Sequence, residues 1–268
     1  MPPEAAASSG AGPLAGRRVV IVGASAGIGR AIAARAIAQG ANVVVAARRK
    51  EALDELIDAA GGGVPVACDV RVAEDRDALA QAAAELGGVD LVVLSMGMAR
   101  MTFLETASAS DWAETLATNV IAVSDVIRTL MPHCVDGAIV AMLSSETVGQ
   151  PRPALGIYSA SKAAADQSLE VWRAERPELR FTRVVIGSTI DTEFGLEFPG
   201  ELLGWALEDW QARGLMPSTY LMSDDVAEAV LGALAGTLAL RDVSLDTITV
   251  RPAAPPAGTT PRPSGATS

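Results

Sequence analysis

Short apolar runs rich in β-branched residues recur at residues 19–22, 43–45, 64–67, 91–94, 138–143 and 182–186, with a last short run at 247–250. Longer alanine-rich stretches with helical spacing separate them. Near-continuous apolar runs predict strands buried on both faces. Their alternation with helices predicts a parallel sheet covered on both sides. There is no internal repeat, so the pattern predicts one doubly wound, Rossmann-like α/β domain over about residues 16–251. The two ends break the pattern. Residues 1–15 are rich in Ala, Pro, Gly and Ser, and residues 252–268 hold five prolines among small polar residues. Neither composition can bury a core, and both ends are expected to be disordered tails.

Composition narrows the functions available. Half of the 268 residues are hydrophobic, which excludes global disorder. The charge sum of 21 − 32 = −11 makes the chain a poor partner for nucleic-acid phosphates or anionic membranes. No stretch approaches the roughly 20 apolar residues of a membrane span. Residues 1–14 lack the basic and apolar regions of a secretory signal. Cys68 and Cys134 have no CxxC spacing, which argues against a disulfide scaffold or zinc site and fits a reducing cytoplasm. His133 is the sole histidine, so a two-histidine metal site is impossible and no metal is expected. It follows Pro132 at a helix end, where it suits a solvent-facing capping role.

The first apolar run leads straight into Gly23-Ala24-Ser25-Ala26-Gly27-Ile28-Gly29. A helix follows, with Ile28, Ile32 and Ala36 on one face and Gly40 suited to its C′ position. Glycines at Gly23, Gly27 and Gly29 let the backbone turn sharply and approach a pyrophosphate. The helix N-terminus then offers free N–H groups and a positive dipole end. The spacing is G-x-x-x-G-x-G rather than the commoner G-x-G-x-x-G. An ordinary tight connection would also use glycines, but the place between first strand and helix favours a nucleotide. The second strand should end at the adenosine ribose, where an NAD site carries Asp or Glu. Here Ala47 is followed by Arg48, Arg49 and Lys50. Cations without an acid match a 2′-phosphate, so NADP(H) is favoured over NAD(H) with Arg48 as its partner. The alternative is a solvated basic start to the next helix. Asp69 can accept from the adenine amino group or cap a helix.

The chain has two tyrosines and two lysines, yet Tyr158 and Lys162 stand four apart in Tyr158-Ser159-Ala160-Ser161-Lys162. Chance gives such a pair roughly 1.5% of the time. On a helix the two share a face. A nearby ammonium would lower the phenol from its usual value of about 10, letting Tyr158 exchange a proton with a substrate oxygen. Ser145, thirteen positions earlier at a strand end, could hydrogen-bond the same oxygen. The plain alternative is a helix with a core Tyr and an exposed Lys.

These residues together resemble a short-chain dehydrogenase/reductase of the single-domain type, over nearly the whole chain between the tails. The likeness rests on the glycine turn, Cys68-Asp69-Val70, Thr118-Asn119-Val120, Ser144-Ser145 and the Tyr158 to Lys162 motif. It implies a catalytic tetrad of Asn119, Ser145, Tyr158 and Lys162. Lys162 would also hold the nicotinamide ribose, and Asn119 would hold a water that relays protons. It implies cofactor contacts at Gly23, Ser25, Gly27, Ile28, Gly29, Asp69, Val70 and Gly97, with Ile190 and Thr192 lining the carboxamide. It implies strand order 3-2-1-4-5-6-7, and homodimers or homotetramers packed through the helices around Asn119 and Tyr158. Two segments depart from the family. Leu94-Ser95-Met96-Gly97 replaces Asn-Asn-Ala-Gly, and Gly187-Ser188 replaces Pro-Gly.

Residues 193–222 lie where such proteins carry a substrate lid, and they hold Phe194, Phe198, Trp205, Trp210 and Tyr220. Leu203, Leu207 and Trp210 follow helical spacing, which leaves Trp205 off the stripe as the candidate substrate contact. The expected function is hydride transfer between NADP(H) and an apolar ketone or secondary alcohol. The alternatives are a cofactor-binding scaffold without turnover, or an epimerase on the same site.

Overall fold

The computed structural model describes residues 12–253. The strands are β1 (Arg18–Val22), β2 (Asn42–Ala47), β3 (Val64–Ala67), β4 (Val89–Leu94), β5 (Cys134–Ser145), β6 (Arg180–Ile186) and β7 (Thr247–Val250). The helices are α1 (Gly27–Ala38), α2 (Lys50–Ala60), α3 (Ala73–Glu85), α4 (Ala109–Leu116), α5 (Ala122–Leu130), α6 (Gly156–Glu175), α7 (Gly200–Ala212) and α8 (Ser223–Leu238). All strand pairs are parallel, in the order β3-β2-β1-β4-β5-β6-β7. This is the expected doubly wound sheet. The order reverses between β1 and β4, and the crevice beyond the strand ends at that point is where such sheets bind ligands.

The period of two along each strand divides the core into two layers. Val19, Ile21, Val43, Val45, Leu91 and Val93 face α1 and α8. Val20, Val22, Val44, Ala46, Val92 and Leu94 face the other way, onto Leu79 of α3, Val126 of α5 and Leu169 of α6. Both faces are therefore apolar, as the unbroken runs require. Burying each Val, Leu or Ile contributes roughly 1.5–3 kcal/mol, so a charge at Val20 or Val44 would break a layer. Gly40, at φ +84, ends α1 as its sequence position suggests.

Some boundaries differ from expectation. β5 begins at Cys134 rather than 138, because Cys134 already pairs with Val89 of β4 ahead of a register shift that brings Ile139 opposite Leu91. Leu14, inside the stretch expected to be loose, is fully buried in the layer with Val19 and Ala36. The rest of the expected tails, residues 1–11 and 254–268, lies outside the described residues. On α7 the buried face is Ala206 and Trp210 with half-buried Leu202 and Leu203, while Leu207 is exposed. Among the described residues no helix is long and apolar enough to cross a membrane.

Candidate active site

The crevice is first a matter of backbone clearance. Gly23 and Gly27 have φ of +90 and +52, which favour glycine. A Cβ at Gly29 would stand 2.2 Å from the Gly23 carbonyl oxygen, and one at Gly23 would stand 2.6 Å from the Met96 nitrogen. No side chain caps α1, whose N-cap is Ala26, so its first-turn N–H groups are not claimed by a capping residue. Ile28 packs half-buried against the core. This cradle fits a pyrophosphate.

Around the end of β2, Ala47 is buried and Arg48 is exposed. Asp69 is not a helix cap, since α3 opens at Val72 without a side-chain cap. Its carboxylate accepts instead from Arg71, through Nε at 2.9 Å and Nη2 at 2.6 Å. Hydrogen bonds from Arg71 are the main reason its carboxyl is held down to about 2, and the Arg48 charge adds to them. Val70 is buried in the core, and its carbonyl accepts from Arg76 at 2.7 Å. Arg49, which the sequence left unassigned, donates to Ser25 Oγ at 3.0 Å and to both Glu193 oxygens at 2.8 and 2.7 Å.

At the other end, α6 presents Tyr158 and Lys162 on its buried face. Lys162 Nζ donates to the Leu143 carbonyl at 3.0 Å, and the amine borders Gly97, where a Cβ would come within 3.2 Å of it. Asn119 sits in a π-helical turn, Ala117–Ile121. Its amide donates to the Met98 carbonyl and Ser161 Oγ, at 2.8 and 2.9 Å, and its oxygen accepts from Met98 N at 2.8 Å. Asn119 thereby braces the loop after β4 against α6. Ser145 accepts from Thr147 N and Oγ1 at 3.2 and 3.0 Å, and its hydroxyl is near enough to the Tyr158 phenol to lower its pKa. Ile190 is exposed, whereas Thr192 is half-buried against Gly27.

Burial governs the electrostatics here. It pushes the Tyr158 phenol up to about 12, against the nearby Ser145 hydroxyl and the Arg152 charge, which both lower it. The sequence predicts a phenol lowered by Lys162; desolvation raises it instead, and the groups that oppose the rise are Ser145 and Arg152. Burial also brings Lys162 down to about 8, opposed by Asp166. Asp166 is itself buried, bonded by Ser144 at 2.9 Å and near Arg183 at 3.6 Å.

Two further groups escaped the sequence. Glu146 and Arg152 form a buried ion pair, and Ser188 joins both, donating to Glu146 at 3.0 Å and accepting from Arg152 at 3.0 Å. The departure from Pro-Gly at Gly187-Ser188 thus supplies a hydroxyl to this pair. Arg152 also donates to the Leu215 carbonyl at 3.1 Å and lies over Trp210 at 5.5 Å, tying α7 and the residues after it to the strand ends. The aromatic against Tyr158 is Phe194, with centroids 5.0 Å apart. Trp205 is turned outward onto Phe103 at 5.0 Å, because the buried face of α7 is set by Ala206 and Trp210.

Residues 17–194 match the short chain dehydrogenase family. The chain belongs to that family. As a short-chain dehydrogenase it is an NAD(P)-dependent oxidoreductase. It is 32% identical to glycine betaine reductase ATRR of Emericella nidulans over 83% of this chain, but spans only 18% of that relative's length. It is 31% identical to the NADP-dependent 3-hydroxy acid dehydrogenase YdfG of Shigella flexneri, covering 79% of this chain and 86% of that one. Among solved structures, a short chain dehydrogenase from Burkholderia cenocepacia in complex with NADP superposes with a TM-score of 0.75 at 25% identity. That match covers 89% of this chain and 98% of the other.

Proposed function

We propose that this short-chain dehydrogenase transfers a hydride between NADP(H) and a ketone or secondary alcohol. The observation that carries the reading is a buried phenol, Tyr158, beside the Ser145 hydroxyl and one helical turn from the buried amine of Lys162. The bound cofactor would supply or accept the hydride. In reduction the carbonyl oxygen gains negative charge. Ser145 hydrogen-bonds that oxygen, and Tyr158 delivers its proton to it. A phenol pushed to about 12 is protonated throughout the working range, which suits the acid role. Lys162 holds the ribose hydroxyls and restores the phenol, and the water relay through Asn119 belongs to the same proposal.

Arg48 at the exposed end of β2 supports a 2′-phosphate, as do the NADP bound in the Burkholderia structure and the NADP-dependence in the name of the Shigella relative. Gly23, Gly27 and Gly29 clear the pyrophosphate, and Gly97, Ile190 and Thr192 border the nicotinamide end. The apolar cluster of Met101, Leu155, Phe198 and Trp210 supports an apolar substrate. Exposed Ile121 and Val171 support packing as a homodimer or homotetramer, and two unpaired cysteines support a cytoplasmic location.

The test is a panel of ketones and secondary alcohols followed by NADPH absorbance. Absorbance should fall with apolar ketones, and Tyr158→Phe should abolish the change. Tight NADPH binding with no redox change across the panel would return the protein to the scaffold or epimerase reading.

A further inference from the structure

Arg49 joins two parts of the molecule 144 residues apart in sequence. Its guanidinium grips Glu193 through two bonds and reaches Ser25 Oγ in the glycine turn. Ser25 and the end of β2 flank the place where a Rossmann-like crevice receives the adenosine ribose. Glu193 belongs to the start of the lid. Its neighbours are fastened too. Thr192 lies against Gly27, and Phe194 rests edge-on against Tyr158. Three consecutive lid residues therefore touch the phosphate turn, the ribose corner and the catalytic phenol in succession.

We propose that Glu193 competes with the cofactor's 2′-phosphate for Arg49, and that phosphate binding there frees Phe194 from Tyr158. The proposal rests on the NADP(H) reading above. A guanidinium fork accepts a carboxylate or a phosphate in the same two-pronged geometry. The Arg49 and Glu193 side chains are 50% and 49% exposed, so their pair is solvated and weak. A phosphate monoester carries −1.5 to −2 charge, more than a carboxylate, and wins the fork when delivered by a cofactor anchored elsewhere. NAD(H) brings only a hydroxyl to this corner, so it leaves Glu193 on Arg49 and Phe194 against Tyr158. Cofactor identity is thereby read twice, once as affinity and once as freedom of the lid.

The experiment uses the full chain and two probes, adenosine 2′,5′-bisphosphate and adenosine 5′-monophosphate. Calorimetric titration compares the wild type, Glu193→Gln and Arg49→Gln. Hydrogen exchange reports on residues 190–198. Glu193→Gln should tighten the bisphosphate about two- to fivefold and leave the monophosphate unchanged, the range an exposed ion pair allows. Arg49→Gln should weaken the bisphosphate alone. Exchange over 190–198 should rise with the bisphosphate and not with the monophosphate. If the wild type prefers the bisphosphate but Glu193→Gln gains nothing, the competition is wrong and the NADP(H) reading stands. If the wild type binds both probes equally and Glu193→Gln creates a preference, the competition stands and the NADP(H) reading falls. If neither protein distinguishes them, both fall. Unchanged exchange on bisphosphate binding overturns the release of Phe194.

Discussion

At the Tyr158 end of the crevice the polar groups are buried, and several are satisfied by backbone carbonyls and hydroxyls. At the Arg49 end they are exposed and paired charge to charge. The first arrangement moves pKa values far. Tyr158 goes up to about 12 and Lys162 down to about 8, both through desolvation. The second holds guanidiniums against carboxylates in solvent, where a pair contributes roughly 0.2–1 kcal/mol. On the proposed reading, chemistry lies where each group is fixed and costly to alter, and selectivity between cofactors lies where pairs are weak and can be exchanged. The comparison can be broken from either side, and the expected effects shrink from the buried end to the exposed one.

The largest effect belongs to the phenol. Tyr158→Phe keeps the ring against Phe194 and removes the proton. Single-turnover reduction should fall by roughly 10²–10⁴ while NADPH affinity stays nearly intact. Wild-type rates in the Phe variant would remove Tyr158 from the mechanism. Gly29→Ala should act on affinity instead. Its Cβ meets the Gly23 carbonyl at 2.2 Å, a backbone contact that cannot swing aside. The glycine turn must shift, at a cost of about 1–3 kcal/mol. NADPH should bind at least tenfold more weakly, measured by titration, and the melting temperature should drop with it.

The pH dependence comes next, and its sign separates Lys162 from Tyr158. Reduction needs the phenol protonated, and at about 12 it stays so across the usual range. Lys162 loses its charge as pH rises through about 8. The alkaline fall in kcat/KM should therefore lie near pH 8 and report the lysine. Asp166 raises Lys162, so Asp166→Asn should move that fall to lower pH. An unmoved fall would assign it to another group. Stability gives an independent reading. The folded lysine releases its proton at about 8 and the unfolded one at 10.5, so between these values the unfolded chain binds more protons. The stability of wild type relative to Lys162→Met should therefore rise with pH across that window, as read from urea midpoints.

How much of this was legible in the sequence follows the same divide. The alternation of strands and helices, the glycine turn and the face shared by Tyr158 and Lys162 are written in local patterns, periods of two and of 3.6 and a fixed motif spacing. The strand order followed from the family resemblance. What the sequence missed depends on contacts without local period. Arg49 and Glu193 are 144 residues apart. Ser188 meets Glu146 across 42. Leu14 looked loose because its neighbours are Gly, Pro and Ala, yet it is buried in the core layer and docks the chain before β1. The outward turn of Trp205 was hidden for a related reason. Ala206, small and easily overlooked as a core residue, fixes which side of α7 faces in.

The smallest effects should fall within the Arg48-Arg49-Lys50 run, where three adjacent cations look equivalent in the sequence but have different surroundings. Lys50 opens α2 and is held by Asp54 one turn later, at 2.7 Å. Such an i,i+4 pair contributes only about 0.3–0.5 kcal/mol and draws the ammonium along the helix instead of toward the ribose corner. Arg48 stands next to Ala47, close enough to Asp69 for its charge to be felt there. If the 2′-phosphate is recognised at this corner, Arg48→Ala should lower the NADPH over NADH affinity ratio several-fold. Lys50→Ala should leave that ratio within about twofold, because the lysine contributes only a distant, screened charge. Titrating both variants with both cofactors decides it. Equal losses would mean that the run acts as a diffuse positive patch, and the contrast between a fixed catalytic end and a specific, exchangeable cofactor end would no longer hold.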